Sequence, residues 1–188
     1  MERDAIAAAI KRARDGINQY LEIMDTVHDV DVGRNRDFQR RFNHFYRIRQ
    51  RSQQWYATYY GLMEASKVTP PTFDDVLEHL RENLGRYEPS FSSKLVATLD
   101  PSRPVWDKYV LEHTNQKAPA YSSPRRFERA KTVYRRIEQW YSRFLELSDS
   151  RTMIGIFDEL VPCHERIIDI KKIDFILWQT RTSHTGAG

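Results

Sequence analysis

Helical periodicity runs through this chain from end to end, and no stretch of any length alternates apolar and polar residues as a strand would. That pattern restricts the fold to helix packed on helix. Ile6, Ile10, Ala13, Ile17, Tyr20, Leu21 and Met24 form one apolar stripe, predicting a first helix of about six turns. A polar loop through Asp29, Asp31 and Gly33 follows. A second helix from about Asp37 gathers Phe38, Phe42, Phe45 and Tyr46, and Ser52 is placed to cap a third carrying Trp55, Tyr56, Tyr59 and Leu62. Pro70 and Pro71 break the chain before Thr72, which with Asp75 makes a capping box for a fourth helix that Gly85 closes. Phe91, Leu95 and Leu99 mark a fifth helix stopped by Pro101, and Val105, Trp106, Tyr109 and Val110 a sixth. Ser123 and Pro124 suit the start of the longest helix, which carries Phe127, Ala130, Tyr134, Ile137, Tyr141 and Phe144. Met153 to Leu160 form a further helix before Pro162, and Asp169 is read as the cap of the last. The expectation is one all-α domain over residues 1–181, with a polar, disordered tail over 182–188.

Composition narrows the class of protein. With 188 residues, 40% hydrophobic and 30% charged, the chain has enough apolar surface for a core and too many charges for a membrane-embedded protein. Cys163 has no second cysteine to pair with, and Lys11, Arg12 and Arg14 interrupt the short apolar run at the N-terminus where a signal-peptide cleavage site would lie. A cytoplasmic protein with no membrane partner is therefore expected. No glycine-rich phosphate loop, Cys-x-x-Cys pair or His-Glu-x-x-His sequence is present, so no cofactor or metal is expected. Cys163 beside His164 is a poor nucleophile–base pair, because chain neighbours rarely point at each other. His28, Asp29 and Asp31 read as a polar loop.

The basic residues are organised more tightly than the net charge of +4 suggests. At helical spacing Arg36, Arg40, Arg47 and Arg51 fall in a narrow strip of the second helix, and Arg34 to Arg51 holds seven arginines against one acid, Asp37. Arg125, Arg129, Arg136 and Arg143 line one edge of the long helix. Such stripes suit phosphate backbones, where charge positions a partner without reading its sequence. DNA is the expected partner; protein partners cannot be read from these residues.

The most informative stretch runs from Leu77 to His113: a helix, a tight turn at Arg86 to Pro89, a second helix containing Lys94, and then Pro104-Val105-Trp106-Asp107-Lys108-Tyr109-Val110. It resembles the helix-hairpin-helix DNA glycosylase superfamily, in which a lysine near the start of the hairpin's second helix is followed by an aspartate at the opening of the next. Lys94 and Asp107 occupy those places, thirteen positions apart, which is closer than in typical members. The hairpin's turn carries Glu88, Pro89, Ser90 and Ser92 where the family has glycines that approach a phosphate. The four-cysteine iron–sulfur motif of some members is absent. The whole chain also resembles a group of bacterial proteins with Ser-Phe-Ser-Ser-Lys and Pro-Val-Trp-Asp segments, a likeness that supplies no function.

The glycosylase resemblance implies base-excision repair, with or without lyase cleavage of the abasic site. Lys94 would be the nucleophile and Asp107 its activator, Ser90 and Ser92 would join the arginines on DNA, and Tyr87, Trp106 or Tyr109 would stack on a flipped base. A lysine can attack the sugar C1′ where burial lowers its pKa, and a carboxylate at a helix start can steer it. Two other readings remain: a non-catalytic nucleic-acid-binding module of the same fold, and a helical interaction or structural protein whose arginines are solvated.

Overall fold

The computed structural model describes residues 1–180. The tail expected over 182–188 lies outside the described residues, as does residue 181. Nine α-helices carry the described chain: α1 (Arg3–Thr26), α2 (Arg36–Phe45), α3 (Gln53–Ala65), α4 (Phe73–Leu84), α5 (Pro89–Leu99), α6 (Lys108–His113), α7 (Arg126–Phe144), α8 (Ser148–Leu160) and α9 (Asp169–Leu177). Among the described residues there is no strand, and no helix is long and apolar enough to cross a membrane.

Helix ends follow local chemistry where that chemistry is strong. The Ser52 side chain accepts from the Trp55 amide at 3.1 Å and so opens α3. Thr72 and Asp75 form the reciprocal capping box of α4, and Gly85 closes that helix with φ 64°, a left-handed conformation that costs glycine nothing. Other ends depart from the expectation. Phe45, not Arg51, ends α2. The chain then turns with Arg47 at φ 55° and Gln50 at φ 54°, while the Ile48 amide donates to the Asn43 carbonyl. This turn buries both Tyr46 and Ile48, which a continuing helix would not do. The N-cap of α7 is Arg125, and Ser123 makes no capping bond. Ile168, with no side-chain bond, precedes α9, so Asp169 is its first residue. Val105 and Trp106 lie before α6 in extended chain, and Asp107 is that helix's N-cap.

Two apolar clusters share the interior. One joins the first two-thirds of α1 to α6, α7, α8 and α9 through Ile10, Ile17, Tyr134, Ile137, Phe157 and Ile173. The other joins the end of α1 to α2, α3, α4 and α5 through Ile23, Phe42, Tyr59, Tyr60, Leu80 and Leu95. Each large aliphatic side chain so buried stabilises the fold by about 1.5–3 kcal/mol before its entropy cost. α1 and α4 contribute to both clusters, and Phe45 packs against both, so the two halves are held as one body. A seam between them opens to solvent where α2 ends and α5 and α6 begin.

Candidate active site

The seam is a cleft of about 930 Å³, with Gly16 and Gln19 of α1, the turn after α2, the start of α5, the start of α6 and the end of α9 among its walls. Both Lys94 and Asp107 line it. Lys94 comes from α5, on the side of the second cluster, and Asp107 opens α6, on the side of the first. Trp178, Phe45 and Tyr46 supply aromatic wall.

Lys94 owes its position to Ser92, Ser93 and the turn after α2. Ser92 and Ser93 are fully buried; Ser92 donates to the Glu88 carbonyl at 2.9 Å, and the Ser93 hydroxyl accepts from the Trp106 amide at 2.8 Å. The second bond ties the start of α5 to the segment that carries Asp107. The Lys94 amine approaches the Tyr46 carbonyl at 3.4 Å and lies over the Phe91 ring, 4.9 Å from its centre. Burial lowers its pKa to about 8; the Asp107 charge opposes that shift, and the Arg47 guanidinium adds to it. Asp107 is shifted the other way, to about 6, again by burial first, against the Val110 amide that its carboxylate accepts at 2.8 Å. Among the described residues the two side chains form neither a hydrogen bond nor an ion pair with each other. Each therefore acts on the other through space, and both face solvent-accessible volume.

A second carboxylate lies behind the site. Asp174 of α9 is completely buried, accepts from Lys171 at 2.8 Å and is hydrogen-bonded by the Tyr141 hydroxyl. Its charge contributes to the upward shift of Asp107. No sequence pattern marks this triad, because a lysine and an aspartate three apart on a helix ordinarily form a surface pair.

The remaining predicted site residues divide. Tyr109 lines the cleft and Arg47 stands at its mouth, exposed. Trp106 does not reach the cleft: it is 4% exposed and stacked parallel to Phe73 in the core, because the Ser93 bond turns its backbone inward. Tyr87 packs edge-on to Phe127 and under the Arg126 guanidinium, outside the cleft. Ser92, with no exposed surface, cannot meet a phosphate, and Ser90, half-buried, gives its carbonyl to Ser93. The predicted stripe on α2 is broken. Arg36 and Arg40 are exposed on the helix, Arg40 pairing with Asp37, but Arg47 and Arg51 lie past its end. Arg51 is committed inside the fold: it pairs with Glu88 at 3.2 Å and covers the Phe91 ring. Arg125, Arg129, Arg136 and Arg143 are all exposed along α7, and none of them lines the cleft.

The cleft also exposes residues the sequence did not single out. Arg12, His44, Arg49 and Lys108 stand on its rim, and Asp107 is the only carboxylate among its described lining residues. No spacing in the chain joins Arg12 to Arg49; only the packing of α1 against α2 and α9 does. Elsewhere, His164 meets Asp158 at 3.2 Å rather than the Cys163 thiol, and among the described residues no three His, Cys, Asp or Glu side chains converge as a metal site would require. Comparisons with protein-family models, curated proteins and solved structures return no match to this chain.

Proposed function

We propose that the chain is a DNA base-excision glycosylase of the amine-nucleophile type, acting on a nucleotide flipped out of the duplex. The observation that carries this reading is the meeting of Lys94 and Asp107 in one cleft, the amine's pKa lowered to about 8 and the carboxyl's raised to about 6. An amine so placed is a nucleophile near neutral pH, and a carboxylate nearby can take its proton.

The Lys94 nitrogen attacks the sugar C1′. As the new C–N bond forms, the N-glycosidic bond breaks and the base leaves with the bonding electrons, gaining a proton from water. Asp107 accepts the proton the amine gives up and stabilises positive charge on the sugar. Ring opening, with the C1′–O4′ pair passing to O4′ and the proton held by Asp107 following it, yields an iminium. Water then hydrolyses it to an abasic site, or loss of the C2′ proton expels the 3′ phosphate in the lyase branch. Tyr109 and Trp178 are two of the cleft's aromatic side chains that would flank a flipped base.

Borohydride reduction tests this on duplexes carrying abasic sites or damaged bases. Wild-type protein should be trapped on DNA and Lys94→Ala should not. Asp107→Asn should bind normally and react slower by two orders of magnitude or more. Base release that survives Lys94→Ala but needs Asp107 would replace the amine by an activated water. A protein that binds DNA with salt sensitivity yet acts on no lesion would be a binding module only.

A further inference from the structure

We infer that the rim of this cleft is a two-sided phosphate grip, which holds the DNA strand on either side of the flipped nucleotide, and that it replaces the phosphate contact of the α4–α5 hairpin. The inference rests on the glycosylase reading and adds to it the residues that hold the substrate.

The hairpin cannot serve. At the start of α5, where a phosphate would meet backbone amides, stands the nearly buried side chain of Glu88, already paired with Arg51. Pro89 has no amide proton, Ser92 is sealed inside, and the Phe91 and Ser92 amides donate to the Glu88 carbonyl. A phosphate brought there would face a carboxylate.

The rim has the opposite character. Arg47 and Arg49 project from the turn after α2, and Arg12 of α1 and Lys108 of α6 stand elsewhere on the same rim. All four are exposed, and among the described residues of the lining the one carboxylate, Asp107, belongs to the reacting pair. Arg12 gives one guanidinium nitrogen to the Gln179 carbonyl at 3.1 Å, which fixes its direction; among the described residues its other donors make no hydrogen bond. Among the described residues the Lys108 amine makes a long ion pair of 3.7 Å to Glu112 and lies 5.9 Å from the centre of the Tyr109 ring. The turn itself is costly: Arg47 and Gln50 both hold positive φ, although neither is glycine. It stays in place because Tyr46 and Ile48 are buried on either side of Arg47 and the Tyr46 carbonyl receives the Lys94 amine. One short segment thus positions both the nucleophile and two of the cations.

The test uses a duplex with a tetrahydrofuran abasic analogue, which has no leaving base and no reactive C1′, so binding is read apart from chemistry. Arg47→Gln/Arg49→Gln should weaken binding about tenfold or more per arginine and lower the salt slope by about one for each. Wild-type protein, on true abasic DNA, should be trapped by borohydride. Arg129→Gln/Arg136→Gln on α7 probes the rival surface. Loss of affinity in that variant alone, or wild-type affinity and slope in Arg47→Gln/Arg49→Gln, would overturn the grip while leaving the lysine chemistry untouched. The expected binding losses with no trapping by wild-type protein would support the grip and remove the chemistry. No salt-sensitive binding by wild-type protein would overturn both. Helical circular dichroism and melting of each variant separate lost contacts from lost folding.

Discussion

Two ionisable side chains at the cleft give up solvation that both would keep on the surface, and each leaves a pH signature. Lys94 binds its proton more weakly folded, near pH 8, than its ordinary value of 10.5. Unfolding takes up a proton between those values, so stability rises with pH across that window. Lys94→Met should abolish the rise, measured by denaturant unfolding at a series of pH values. Asp107 binds its proton more tightly folded, with its pKa about 6 against 3.8, so stability falls as pH rises through that lower window. Asp107→Asn should remove the fall. Because asparagine caps as well as aspartate, α6 should stay intact, whereas Asp107→Ala should cost about 1 kcal/mol through the lost cap. The trapping rate on a preformed abasic site should climb through about pH 8 as the Lys94 amine is freed; a flat profile would remove Lys94 as the nucleophile.

At the scale of elements, the legible ends were those closed by the Ser52 and Thr72–Asp75 caps, by Gly85 or by a following proline, whereas the Asn35 cap of α2 was missed. Ser52, the Thr72–Asp75 box and Gly85 each satisfy their own helix end with a local bond or conformation, so the sequence carries the information within four residues. The end of α2 has no such mark. Arg36 to Arg51 reads as one amphipathic run, and what breaks it is distant: the Tyr46 hydroxyl near Thr98, the Tyr46 carbonyl under Lys94, and Ile48 in the core. Tertiary burial outweighs the cost of two left-handed residues. Arg47→Gly should therefore stabilise the protein by up to about 1–2 kcal/mol, seen as a higher melting temperature, while weakening DNA binding. The candidate site was legible in the same uneven way. Lys94 and Asp107 stand out by their local context, but Trp106 was misplaced because the bond that turns it into the core comes from Ser93, thirteen residues away. Arg12, Arg49 and Lys108 belong to the rim only through the packing of separate helices.

Across the whole molecule, the two apolar clusters meet along α1 and α4 and leave the cleft where their surfaces part. The Lys171–Asp174–Tyr141 group braces the α9 side of that junction. Asp174→Ala would strand a lysine that is 1% exposed, so a loss of about 3–5 kcal/mol in unfolding free energy is expected. Asp174→Asn, which keeps the Tyr141 partner, should lower the pKa of Asp107. The proposed chemistry requires this arrangement to deliver one particular amine to a sugar carbon. Its most direct measurement is the site of the borohydride-trapped adduct, found by digesting the reduced protein–DNA complex and sequencing the modified peptide by mass spectrometry. The expected adduct is on Lys94, in the tryptic peptide that begins at Tyr87. Attachment at Lys108 or at the amino terminus, or a trapped yield unchanged by Lys94→Ala, would contradict the claim.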